Sequence, residues 1–250
     1  MAEIKGPGIL YVEARISRKD IMDEAMYMNW YDNDHIAEII ETSGVDSAFR
    51  YKREGAEWPY LAMYEMRDIA FTQGEEFRKI RVYSDLLPGT KLCYDLADNN
   101  VRYYKLEQVY DPTNKGPGHT KTLISAQYEL KEGYPAEDFD AWYRKEHLDQ
   151  LAQAPGYIRT TRFKLVFSRS NAQSRALKGL PVTSTEPQPN PPTYLALHEF
   201  SSDDVNLASL KELTNTEWTK KVLDNAKTVL HPVYKIAKAH GKGEWFHKFP

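Results

Sequence analysis

Two histidines of the chain stand in the same local setting. His35 follows the pair Trp30-Tyr31 and His147 follows Trp142-Tyr143, with three residues between tyrosine and histidine each time. A neutral imidazole among aromatic side chains can serve as a general base near neutral pH, because its ordinary pKa lies where small changes of environment matter. A phenol beside it can steady the oxygen of the enolate formed when a proton leaves the carbon alpha to a carbonyl. That is the equipment of a cofactor-free cyclase, dehydratase or decarboxylase. One candidate set is His147, His198, Tyr143 and Tyr128, with Trp142 as a flat apolar wall. The other is His35, Tyr31, Tyr11 and Tyr64, with Glu13 on the neighbouring strand. Arg50 and Arg162 can bind a carboxylate or phenolate, or close a salt bridge at a strand edge. The first set holds two imidazoles, so His147 is expected as the base, assisted by Tyr143 or His198. Its sequence neighbour Glu146 points about 100° away around a helix. The alternative for each histidine is a core-edge residue bonded to a backbone carbonyl.

Composition excludes several classes. Net charge is −3 without a Lys/Arg stripe, which disfavours nucleic acid. No apolar run approaches membrane-spanning length, and the N-terminal residues lack the apolar stretch of a signal peptide. The one cysteine, Cys93, can form no internal disulfide, and no His/Cys/Asp/Glu group has zinc-like spacing. Gly-x-Gly-x-x-Gly, phosphate-loop and Gly-x-Ser-x-Gly patterns are absent from the chain. The expectation is a cytoplasmic protein without metal or cofactor, binding a small hydrophobic or aromatic molecule, as a monomer or a homodimer. Hydrophobic residues at 41%, with 17 Tyr and 5 Trp, suffice for a core and for a pocket that suits flat hydroxylated molecules.

The histidine segments belong to a longer internal repeat. At one constant spacing Trp30-Tyr31…His35-Ile36 matches Trp142-Tyr143…His147-Leu148, Gly44 matches Gly156, and Arg50-Tyr51-Lys52 matches Arg162-Phe163-Lys164. Further on, Tyr60-Leu61-Ala62-Met63-Tyr64-Glu65 matches Tyr194-Leu195-Ala196-Leu197-His198-Glu199, once a Ser/Pro/Asn/Gln-rich segment is allowed for. Residues 1–110 thus read as a first repeat, 111–120 as a linker, 121–240 as a second repeat with a loop insertion at 168–192, and 241–250 as a tail. Alternation predicts strands at Ile9–Ile16, Thr122–Leu130, Tyr157–Phe167, Tyr194–Phe200, Val101–Tyr110 and Val233–Ala237. A helix is predicted after Pro135, with Phe139, Tyr143, His147 and Leu151 along one side, and another over Thr216–Val229. The order βαββαβ is that of ferredoxin-like folds. Each repeat leaves one sheet face bare, and the other repeat can cover it. The fold class predicted is α+β, two tandem ferredoxin-like repeats forming one intramolecular dimeric α/β barrel.

These segments resemble the dimeric α/β barrel superfamily, and within it the EthD-like proteins as a tandem duplication. The resemblance rests on the Trp-Tyr-x-x-x-His-Ile/Leu segments, their downstream glycines and the Arg-aromatic-Lys strands. It implies a pocket between the sheet and its covering helices, with His35 and His147 at its wall. It also implies an enzyme of secondary metabolism, a lyase or isomerase-type cyclase or dehydratase acting on polyketide or aromatic substrates. The superfamily equally includes non-catalytic binding and stress proteins, haem proteins and cofactor-free monooxygenases; a haem, if bound, would take His35 or His147 as ligand.

Overall fold

The computed structural model describes residues 4–182 and 187–243. Positions 183–186 of the expected insertion and 244–250 of the expected tail lie outside the described residues. The strands β1 (Gly8–Ile16), β2 (Ser47–Lys52), β3 (Tyr60–Met66), β4 (Ala97–Tyr110), β5 (Thr122–Leu130), β6 (Tyr157–Arg169), β7 (Tyr194–Phe200), β8 (Ala226–Leu230) and β9 (Val233–Gly241) hydrogen-bond in the order β7-β6-β4-β1-β3-β2-β9-β5-β8, and β7 also pairs with β5. The chain divides into two compact units, and β4 (Ala97–Tyr110), β6 (Tyr157–Arg169) and β9 (Val233–Gly241) each contribute residues to both.

Unit 1 holds the described residues of 1–105, 166–191 and 237–245. Here β1 (Gly8–Ile16) lies between β4 and β3 (Tyr60–Met66), and β3 pairs with β2 (Ser47–Lys52), all antiparallel. The register sets Leu10 opposite both Tyr64 and Tyr103, so these side chains share one face. After β1, Asp23 caps α1 (Glu24–Trp30) by accepting from the Met26 amide, and α2 (Ile36–Ile40) continues the path. A short α3 (Glu75–Lys79) precedes β4. The segment expected as loop contains α6 (Asn171–Leu177), started by a Ser170/Gln173 capping box. It belongs to unit 1, although it follows a strand of the second expected repeat.

Unit 2 holds the described residues of 106–165 and 192–236. β5 (Thr122–Leu130) pairs with β7 (Tyr194–Phe200), which pairs with β6. The strand bounds of β5 and β7 are those predicted. α4 (Ala136–Trp142) begins after Pro135 with Glu137 and Asp138 in its first turn, favourable at the positive helix end. α5 (Leu148–Leu151), α7 (Leu207–Leu213) and α8 (Glu217–Asp224) complete the helices. The expected helix over Thr216–Val229 stops at Asp224. Thr228 and Val229 instead form β8 (Ala226–Leu230), opposite Glu129 and Tyr128 of β5, because β-branched residues gain more on a ladder than on a helix. Among the described residues no helix is long and apolar enough to cross a membrane.

Between α1 and α2, and again between α4 and α5, the helix widens into a single π-helical turn, Tyr31–His35 and Tyr143–His147. The amide of Ile36 reaches the carbonyl of Tyr31, and that of Leu148 reaches Tyr143, five residues back. The extra residue per turn sets tyrosine and histidine off the four-residue line of an α-helix, a distortion common at functional sites.

Candidate active site

A histidine-lined cavity of about 410 Å³ lies in unit 2 between the sheet and helices α4, α7 and α8. His147 and His198 both line it and are 7% and 4% exposed. His198 is brought there by the register of β7, which sets it opposite Ile124 of β5 and Thr160 of β6. His147 comes from the end of the π-helical turn, its ring stacked on Trp142 at 4.1 Å and lying 6.3 Å from the His198 ring. Trp142 is itself locked, its indole N–H donating to Thr219 Oγ1 at 3.1 Å. Glu146 turns away from the cavity and accepts from Thr216 at the start of α8. That bond ties α8 to the π-helical turn.

Burial holds these imidazoles neutral at pH 7. It pushes His198 down to about 3, helped by the charges of His231 and Arg162. Burial, then His198, His231 and Arg162, holds His147 well below the ordinary imidazole range. His147 Nδ1 is buried without a hydrogen-bond partner among the described residues, a cost that a native fold rarely carries without a use. His198 Nδ1 lies 2.7 Å from Thr160 Oγ1, which in turn is 2.8 Å from the Tyr157 hydroxyl. Tyr128 lines the same cavity, and its hydroxyl is 3.0 Å from His231 Nε2. Burial raises the Tyr128 phenol well above its ordinary value, so the phenol donates and Nε2 accepts. A neutral base and a protonated phenol therefore face one apolar space.

Tyr143 stands apart from this set. It lines a separate cavity of about 260 Å³ with Glu107, Glu137, Asp140 and Arg162, while Tyr128 borders both. The Arg162 guanidinium sits 4.2 Å over the Tyr143 ring and bonds Asp140 and Gln108. The expected single row of Tyr143 and His147 is thus split by the π-helical turn, and His198 is the partner that shares the cavity of His147.

In unit 1 the matching space is about 80 Å³. His35, Tyr31 and Tyr64 border it, with the two tyrosine hydroxyls 3.1 Å apart. Burial pushes His35 down to about 4. Residues after β6 fill this side: Lys178 donates to the carbonyls of Arg78 at 2.6 Å and Ile80 at 2.8 Å, and Arg175 pairs with Asp95. Tyr11 and Glu13, expected beside His35, belong to the other face of β1. Leu10 and Val12 border the cavity, and strand residues alternate between faces. On that other face Tyr11 bonds Glu13 at 3.5 Å, and Arg102 pairs with Glu13 and sits over the Tyr11 ring. Arg50 forms an ion pair with Asp32 at 2.5 Å, closing the strand-edge bridge. Cys93 is buried at the same small cavity, its thiol pushed up to about 12 by burial.

Sequence reasoning missed His231 because it lies beyond a segment read as helix; the signal was the break at His231-Pro232 between two β-branched runs. Lys211 and Lys220, which also line the larger cavity, carried no motif.

No family model matches the chain. "Core atranone cluster (CAC) protein 1" of Stachybotrys chlorohalonatus (strain IBT 40285) is 28% identical over 205 residues, covering 80% of this chain and 84% of that protein. Among solved structures, an anthrone oxidase-like protein superposes with TM-score 0.53 at 14% identity, covering 97% of this chain and 95% of its own. A protein of Lactobacillus acidophilus NCFM, provisionally named a monooxygenase, gives TM-score 0.54 at 12% identity over 96% and 98% of the two chains. The chain has the dimeric α/β barrel fold. At such identities the structural likeness speaks to fold alone. The relative detected by sequence carries the name of an atranone cluster.

Proposed function

We propose that the protein is a cofactor-independent enzyme of secondary metabolism that moves protons on an aromatic or polyketide-like substrate, leading to cyclisation, dehydration or decarboxylation. One observation carries the reading: two buried neutral imidazoles, His147 and His198, and the protonated phenol of Tyr128 border one apolar cavity of about 410 Å³. In this reading the His147 imidazole takes a proton from the carbon alpha to a carbonyl. The bond's electron pair moves onto the carbonyl oxygen, and His198 donates a hydrogen bond to that oxygen. Trp142 gives the flat part of the substrate a rigid wall. The name of the atranone-cluster relative supports a place in secondary metabolism. The recurrence of the π-helical turn at Tyr31–His35 and Tyr143–His147 supports an EthD-like tandem duplication. The working site is the second one, since the first holds about 80 Å³ and is packed by Lys178.

The test needs no knowledge of the natural substrate. An aryl-substituted ketone such as 4-hydroxyphenylacetone in deuterated water should exchange its alpha protons faster with the protein than with buffer, followed by proton NMR. Binding of the ketone without any acceleration would leave a ligand-holding barrel and contradict the reading.

A further inference from the structure

We infer that the substrate carries a carboxylate, received by Lys211 and Lys220 at the mouth of the His147 cavity while its aromatic part lies against Trp142. The inference rests on the proposed function above and names its substrate class.

The charge around the cavity is one-sided. Its lining includes two lysines and three histidines but no aspartate or glutamate. Lys211, on α7, has no ion-pair partner among the described residues, and Lys220, on α8, pairs only with the well-exposed Glu217 at 2.6 Å. Both ammonium groups are exposed and stand beside the exposed Leu207 and Leu223, which marks this end as the mouth. The inner end, with Trp142 and Leu151, is buried and apolar. An apolar interior with cations at its rim matches a molecule with a flat body and one anionic end.

The Tyr143 and His35 cavities lack this arrangement. The Tyr143 cavity balances Arg162 and Lys164 with Glu107, Glu137 and Asp140. The His35 cavity has Lys178, but that ammonium is already spent on backbone carbonyls. A bound carboxylate would also serve the chemistry. The charge now facing His147 is that of the Arg162 guanidinium, which opposes its taking a proton. An anion bound in the cavity favours the imidazolium that forms when the base acts.

Matched ligands test the inference by calorimetry on the intact protein. 2-Naphthoate and its neutral counterpart 2-acetylnaphthalene differ little except in charge. The carboxylate should bind about five- to tenfold more tightly at low salt, a margin expected of two partly exposed cations, and the preference should shrink near 0.5 M salt. The Lys211→Met/Lys220→Met variant should abolish the preference and leave the neutral ketone's affinity unchanged. His147→Gln should keep it. Equal binding of the two ligands, or a preference that survives the double lysine variant, overturns this inference alone. Acid preference without proton exchange on any ketone overturns the proposed function alone. Failure of both ligands to bind overturns both.

Discussion

The buried histidines make the fold labile to mild acid. Burial lowers His35 to about 4 and His198 to about 3 from an ordinary value of 6.5. Between those values the unfolded chain binds protons that the folded chain refuses, so stability falls as pH drops below 6.5 and continues to fall until the folded values are reached. At about pH 5 each of these residues is still neutral in the fold. Each therefore forfeits about 2 kcal/mol relative to neutral pH, at about 1.4 kcal/mol per pH unit. The two together remove about 4 kcal/mol, and His147 shifts the same way. A substantial share of a marginal stability of about 5–15 kcal/mol is then at risk. Paired carboxylates such as Asp32 and Asp140, held below their ordinary range, lose their contribution only at lower pH, so the window between about pH 6.5 and 5 belongs to the histidines. Urea unfolding followed by tryptophan fluorescence at about pH 7.5 and 5 measures the difference directly. His35→Gln, which cannot titrate, should reduce the pH dependence by about 2 kcal/mol. A free energy of unfolding that is flat across this window, or a His35→Gln protein as acid-sensitive as the original, would refute the reasoning.

Other consequences follow from single contacts. Glu199 and Arg159 pair at 2.6 Å with both side chains 3% exposed, so Glu199→Ala removes the carboxylate that balances a buried guanidinium and should cost about 3–5 kcal/mol in denaturant unfolding. Cys93, buried with its thiol pushed up to about 12, should resist Ellman's reagent in the native protein and react promptly once urea unfolds it. Arg175→Ala unseats α6 from Asp95 and should lower stability by about 1–3 kcal/mol in thermal melts while leaving ligand binding at the His147 cavity intact.

Much of the site was legible because its signals are local. The alternation in Thr122–Leu130 and Tyr194–Phe200 placed Tyr128 and His198 on strands, and the repeated Trp-Tyr-x-x-x-His segment marked His147 beside them. The face of a strand was harder. Tyr11 and Glu13 alternate as regularly as Leu10 and Val12, and only packing decides which pair meets the helices. The π-helical turn at Tyr143–His147 left no mark in residue types, so two side chains four apart were expected on one line. β8 depends on partners in β5, about a hundred residues earlier in the chain. The placement of α6 in unit 1 likewise rests on distant contacts, such as Arg175 with Asp95. His231 and the two lysines entered the cavity by the same non-local route.

We propose that proton transfer occurs at His147 and not at His35. The most direct measurement is the rate of alpha-proton exchange on one aryl-substituted ketone by the unaltered protein, His147→Gln and His35→Gln, compared at matched stability. Loss of a general base should cost about two orders of magnitude or more in His147→Gln, while His35→Gln stays within about twofold of the unaltered rate. Equal losses in the two variants, or a loss confined to His35→Gln, would contradict the account.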